Sequence, residues 1–200
     1  MSRDFSDGPL AGFRVIDLTN VIMGPFATHV LADLGADVVK VEDPKGDQFR
    51  HYKPSRTPGM GGNWLHLGRN KRSVVLDLKT AHGRRVLDAL IETADVFVHA
   101  LRPAAIERLG YGAERVRSLK ADIVYCGAYG FGAAGPYADK ASYDDVIQAG
   151  SGLAALAVPA RGEPAYAPTV VADKVAGQAI AGSIMAALLK RERGGGGSTI

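Results

Sequence analysis

The chain has 200 residues, 46% hydrophobic and 22% charged, the balance of a soluble domain with a real core; disorder and low complexity are excluded. Its 24 Lys and Arg against 21 Asp and Glu leave a net charge of only +3, which excludes wrapping nucleic acid or coating a membrane and makes any basic site local. The single cysteine, Cys126, excludes an internal disulfide framework and a Cys-rich zinc site, and points to a reducing compartment, the cytoplasm.

The opening stretch, MSRDFSDGPLAG, has no apolar run, so it does not read as a secretory signal. Phe13–Leu18 and Asp37–Glu42 read as strands flanking a helix at Phe26–Leu34. There Phe26, Val30, Leu31 and Leu34 fall at helical spacing, Pro25 suits the first position and Gly35 the stop. The cadence returns with a strand at Ser73–Leu78, a helix over Gly83–Thr93, a strand at Val96–His99, helices around Ala104–Leu109 and Glu114–Leu119, and a strand at Ile123–Cys126. This alternation predicts an α/β fold with a Rossmann-like, largely parallel sheet and helices on both faces.

Residues 44–72 break the rhythm with Pro44, Pro54, Pro58 and Gly59–Met60–Gly61–Gly62, and an ordered excursion of that length predicts a functional loop. Val175–Leu189 reads as a small-residue helix built for close packing. It and Val146–Ala160 are uncharged runs of 15 residues each, short of the roughly 20 that a membrane span needs. Lys190–Arg193 suits the end of that helix, Gly194–Gly197 a turn, and Ser198–Ile200 the opening of a further strand. The expected division is a domain over residues 9–193 and a glycine-rich turn over 194–200, at a truncated C-terminus.

Several candidate motifs fail on context. Gly130–Phe131–Gly132–Ala133–Ala134–Gly135 matches G-x-G-x-x-G, yet Pro136–Tyr137 follow instead of a helix and no acid stands about 20 residues on, so the run reads as a turn beside a site. His29, His51, His66, His82 and His99 lack ligand spacing; they read as surface or supporting residues, and no metal is expected. Cys126, in an apolar strand, reads as an inert thiol, and Ser151 in Gly150–Ser151–Gly152 lacks the full G-x-S-x-G nucleophile elbow. Asn70–Lys71–Arg72–Ser73 and Lys79 flank a strand, where bases can hold phosphates or simply face solvent. Asp173, in the apolar run Val170–Val171–Ala172–Asp173 before the small-residue helix, fits an N-cap on residue type alone, with a carboxylate nucleophile as the sharper alternative.

The ordered set of segments resembles a known family. Pro9–Leu18, Gly24–Pro25, Leu31–Glu42, Asn70–Ser73, Leu76–Lys79, Arg108–Gly110, Val124–Cys126, Gly130–Gly132 and Gly135–Tyr137 together look like the class III coenzyme A transferases, from about residue 9 to 197. That group takes in formyl-CoA transferase, the carnitine-type transferases and the alpha-methylacyl-CoA racemases. The resemblance implies a catalytic aspartate at Asp173. It implies a coenzyme A pocket from Val21, Ile22 and Met23, from Leu76, Asp77, Leu78 and Lys79, from Ala100, Leu101 and Arg108, and from Ser142 and Tyr143. The substrates it implies are an acyl-CoA and a small carboxylic acid, with no resident cofactor and no nucleic-acid or membrane partner; the full-length protein would be a homodimer.

Departures from the family pattern fall at two phosphate contacts. Asp43 stands where formyl-CoA transferase has an arginine and Ala141 where it has a lysine, so Lys45 and Lys140 are the expected replacements. The racemase branch pairs its aspartate with a histidine that would fall at Tyr143. A phenol with an ordinary pKa of about 10 is a poor proton shuttle, so transfer is expected over racemisation. A CoA-binding fragment without turnover is the third alternative.

Overall fold

The computed structural model describes residues 7–132, 134–138 and 140–200. Six strands, β1 (Arg14–Leu18), β2 (Asp37–Glu42), β3 (Lys71–Val75), β4 (Val96–His99), β5 (Val124–Gly127) and β6 (Ser198–Thr199), form one sheet in the order β3-β2-β1-β4-β5-β6. Every pairing is parallel, so the expected largely parallel sheet is parallel throughout. The chain order reverses direction across the sheet between β1 and β4. In such sheets ligands bind beyond the carboxyl ends of the strands at that point.

Alternating residues divide the core in two. Val15, Val38, Val96, Val98, Val124 and Cys126 face α1 (Met23–Asp33) and α8 (Val171–Lys190). Ile16, Val39, Phe97 and Tyr125 face α3 (Ala81–Glu92), α4 (Pro103–Leu109) and α5 (Ala113–Leu119). This two-sided burial explains why the strands read as unbroken apolar runs. At the α1–α8 crossing Gly177 is needed for approach, because a Cβ there would lie 2.7 Å from the Met23 carbonyl oxygen.

Several boundaries differ from the sequence expectation. Helix α1 starts at Met23, leaving Pro25 inside the first turn, where its missing N–H is not required. Strand β3 runs from Lys71 to Val75 rather than Ser73 to Leu78. Lys71 can open it because its ammonium is neutralised inside the fold, and Asp77 ends the extension by accepting the Lys79 N–H at 3.0 Å. Helix α8 begins at Val171, so Asp173 lies within its first turn and Val170 occupies the N-cap position.

The long excursion contains a 3-10 turn at Gln48–Arg50 and helix α2 (Gly62–Leu67). Between β5 and α8 lie α6 (Asp144–Gly150), a 3-10 segment at Leu153–Ala157 and the short α7 (Val158–Arg161). Gly194 takes a left-handed φ of 83°, turning the chain toward β6.

Candidate active site

Beneath the carboxyl edge of the sheet lies a group of buried charges. Asp17, at 0% exposure, has its carboxylate filled by Thr19 Oγ1 at 2.5 Å, Thr28 Oγ1 at 2.6 Å and Lys71 Nζ at 3.1 Å. Burial alone would raise its pKa, but Lys71 and Lys40 outweigh that and hold it well below the carboxylate range. Lys40 Nζ donates to the Thr19 carbonyl at 2.6 Å and pairs with Asp47 at 3.2 Å, joining the loop after β1 to the loop after β2. Burial would likewise raise Glu42. Instead Arg50, donating at 2.6 and 2.7 Å, with Ser73 and the Asp47 N–H, takes it down to about 2.

On this floor sits a cleft enclosing about 1970 Å3, open solvent included. Its walls are the loops that follow β1, β2, β3 and β4, together with Arg84 of α3 and one face of α4. Lys45, Lys79, Arg84 and Arg108 line it, and none of the four is in a salt bridge among the described residues. Arg84 Nε is held by the Leu78 carbonyl at 2.8 Å. Guanidinium and ammonium groups on a preformed wall suit a phosphorylated ligand.

Six of the pocket residues expected from the sequence come together here: Leu76, Asp77, Leu78, Lys79, Leu101 and Arg108. Of the two expected replacements, Lys45 lines the cleft, whereas Lys140 is outside the cleft lining and lies 4.3 Å from the Tyr137 ring. Val21 lines a separate crevice with Lys40, Asp47 and Trp64. Its φ of 67° is a strained conformation for a β-branched residue. Ile22, Met23, Ala100, Ser142 and Tyr143 are not in the cleft wall. Met23 meets α8 at Gly177, and Tyr143, 66% exposed, precedes α6.

Asp173 belongs to the same edge by topology. Helices α1 and α8 both run back against the strands they connect to, and Gly177 meets Met23 near the start of α1; the first turn of α8 therefore lies at the carboxyl side of the sheet. Its N–H donates to Asp144 Oδ1 at 2.8 Å. Burial, and secondarily the negative charge of Asp144, push the Asp173 carboxyl up to about 6.

Other sequence candidates take structural places. Cys126 is buried and its thiol is pushed up to about 12. His29 and His99 are core residues rather than surface ones, and burial takes His99 down to about 4. The G-x-G-x-x-G run includes Ala133, which lies outside the described residues; the next described helix starts only at Asp144. Among the described residues no group of three or more His, Cys, Asp and Glu side chains could hold a metal ion, and no helix is long and apolar enough to cross a membrane. Sequence reasoning missed Asp17, Lys40, Glu42, Arg84, Asp144 and Gln148; charges at Lys40 and Glu42 inside an apolar strand were the available signal.

Comparison with known proteins gives a consistent kinship. The mouse succinyl-CoA:glutarate CoA-transferase is 38% identical over 190 residues, 94% of this chain and 44% of its own length. The formyl-CoA:oxalate CoA-transferase of Streptomyces avermitilis is 38% identical over 191 residues, 96% of this chain and 46% of its length. A crystal structure of a CAIB/BAIF family protein from Brucella suis superposes with a TM-score of 0.91 at 34% identity, covering 96% of this chain and 52% of that one. The chain thus spans about half the length of the relatives it matches. With the family model for CoA-transferase family III matching residues 10–200, the chain belongs to that family.

Proposed function

We propose that the full-length protein transfers coenzyme A from an acyl-CoA thioester to a free carboxylic acid, with Asp173 as the nucleophile. The observation that carries this reading is a half-buried carboxyl raised to about 6, on the same edge of the sheet as a cleft lined by four cations that make no salt bridge among the described residues, Lys45, Lys79, Arg84 and Arg108. A more basic carboxylate that is still ionised at neutral pH is a better nucleophile than an ordinary one. The cations suit the phosphates of coenzyme A.

In the first step an Asp173 carboxylate oxygen attacks the thioester carbonyl carbon. The C–S bond breaks, CoA leaves as its thiolate, and an acyl-aspartyl anhydride remains. The thiolate then attacks the aspartyl carbonyl, releasing the first carboxylate and leaving aspartyl-CoA. The acceptor acid repeats the two steps in reverse and departs as the new thioester, restoring Asp173. Holding the reactants in line supplies about 7–11 kcal/mol of the barrier, and N–H donors at the developing oxyanion supply more.

Kinship with transferases that act on succinyl-CoA, formyl-CoA, glutarate and oxalate supports small acyl donors and small carboxylic acceptors. A homodimeric, cytoplasmic enzyme without a resident cofactor completes the reading. The test incubates full-length enzyme with formyl-, acetyl- and succinyl-CoA and maps covalent adducts by mass spectrometry. An adduct on the peptide carrying Asp173, absent from Asp173→Ala, is expected; normal transfer by Asp173→Ala refutes the assignment. Rapid exchange of the alpha proton with deuterated water, without an acceptor acid, would favour racemisation.

A further inference from the structure

We propose that Asp144 is a positioning residue for Asp173: from α6 it fixes the backbone amide of the nucleophile and sets a second negative charge beside its carboxylate, and Gln148 holds Asp144 in that role. The proposal rests on Asp173 being the nucleophile. Helix α8 needs it because the residue at its N-cap position, Val170, has no side-chain acceptor for the free N–H groups of the first turn. The missing cap comes from another helix, 29 residues earlier in the chain: Asp144 Oδ1 accepts the Asp173 N–H at 2.8 Å.

The second oxygen of Asp144 is committed as well, accepting from Gln148 Nε2 at 2.5 Å, one turn along α6. Gln148 is 2% exposed, and both ends of its amide are used. Its Nε2 also donates to the Thr169 carbonyl at 3.3 Å, and its Oε1 accepts the Ala167 N–H at 2.8 Å. Gln148 therefore straps α6 to the stretch that leads into α8, so Asp144 cannot move independently of the nucleophile.

Two carboxylates held this way repel each other, and the repulsion is relieved when Asp173 attacks. As its oxygen bonds to the acyl carbon and the C–S bond breaks, the negative charge passes to the departing thiolate sulfur. Acylation thus removes one of two neighbouring charges, which favours the covalent state over the free carboxylate. Asp144 is the charge that α6 sets against Asp173; Asp145 engages the Val146 N–H at 3.0 Å. The α1 surface at the crossing presents Met23, Phe26 and Ala27, residues 165–170 carry no charge, and on α8 itself Lys174 reaches Thr169 Oγ1 at 3.2 Å.

Asp144→Asn keeps an oxygen for the Asp173 N–H, removes the charge and gives up the acceptor for Gln148 Nε2, a pH-independent loss, whereas Asp144→Ala removes all three. The readout is the single-turnover rate of acyl-enzyme formation in the full-length protein from about pH 5 to 8, using whichever of formyl-, acetyl- and succinyl-CoA labels Asp173. Asp144→Asn should acylate roughly three- to tenfold more slowly at the alkaline end, with the deficit closing as the pH falls, because its Asp173 stays ionised to lower pH. Burial keeps part of the elevation, so the acid limb moves down without reaching the ordinary carboxylate range. Asp144→Ala should lose more in rate, and KM for the acyl-CoA should change little in either variant.

A ratio of variant to wild-type rate that is the same at every pH would reduce Asp144 to a structural cap and overturn the proposal, as would an Asp144→Asn rate equal to wild type throughout. Should Asp144→Ala fail to fold, Asp144→Asn alone decides. Acylation in Asp173→Ala would instead refute the nucleophile assignment, whatever Asp144 does.

Discussion

A carboxyl raised to about 6 is an asset for the proposed transfer and a liability for the fold, and Asp173→Asn separates the two. The side chain is ordinary at 3.8 when unfolded and titrates near 6 when folded, so between those values the native state binds the proton more tightly. Stability therefore falls as the pH rises through that window, and the full penalty is present above it. The gap corresponds to about 3 kcal/mol at 1.36 kcal/mol per decade. Asp173 is only half-buried, and solvent screening of the repulsion roughly halves the figure, to about 1.5 kcal/mol.

Asparagine keeps the backbone N–H that Asp144 accepts and removes the charge that burial and Asp144 oppose. Asp173→Asn should then be inactive yet melt about 3–6 °C above wild type near pH 8, with the advantage fading toward about pH 4. Thermal melts and urea midpoints of the two purified proteins at both pH values measure this. A variant no more stable than wild type near pH 8, or one with the same advantage at both pH values, would refute the electrostatic reasoning.

Glu42→Gln should behave oppositely, because Glu42 is buried and its folded pKa of about 2 lies below the ordinary 4.5: its contribution is present above 4.5 and lost as the pH falls toward 2. Losing the paired bonds from Arg50 should cost roughly 2–3 kcal/mol near pH 7, seen as a lower urea midpoint, and the gap to wild type should narrow toward pH 3; a constant gap would refute it. Arg108→Lys, in the last turn of α4 at the cleft wall, should weaken calorimetric CoA affinity by roughly 1–3 kcal/mol, with added salt weakening wild type more than the variant. Equal affinities at low and high salt would return Arg108 to the role of a helix-terminal cation.

Strands β1, β2, β4 and β5 were legible because each is an apolar run buried on both faces, and the crossovers because their apolar residues recur at helical spacing. What the sequence hid depends on partners far apart in the chain. Lys71 looked like a candidate phosphate ligand or a solvated base; it is a core residue because Asp17, in another strand, takes its charge. Asp173 looked like a cap because Asp fits that position by type, yet the acceptor at the start of α8 is Asp144 and Asp173 is free for other work. The segment from 144 to 161 carries no long periodic pattern, so its short helices emerge only from tertiary contacts. The pocket assignment drawn from family resemblance named the loop after β3, which lines the cleft, and also Val21–Met23 and Ser142–Tyr143, which do not.

Strand β3 is an edge of the sheet, where backbone pairing is satisfied on one side only and fraying is normally cheapest. Here its first residue reaches across β2, with Lys71 Nζ meeting Asp17, Thr28 and the Pro25 carbonyl in β1 and α1. Opening that edge strips a buried carboxylate of its counter-charge, so local opening there approaches the cost of opening the central strands. Amide exchange through β3 should then be nearly as slow as through β1, instead of showing the gradient from edge to centre that an unfastened sheet gives. The loop of residues 76–79, which leaves β3 for the cleft, inherits that rigidity and meets an incoming ligand already formed.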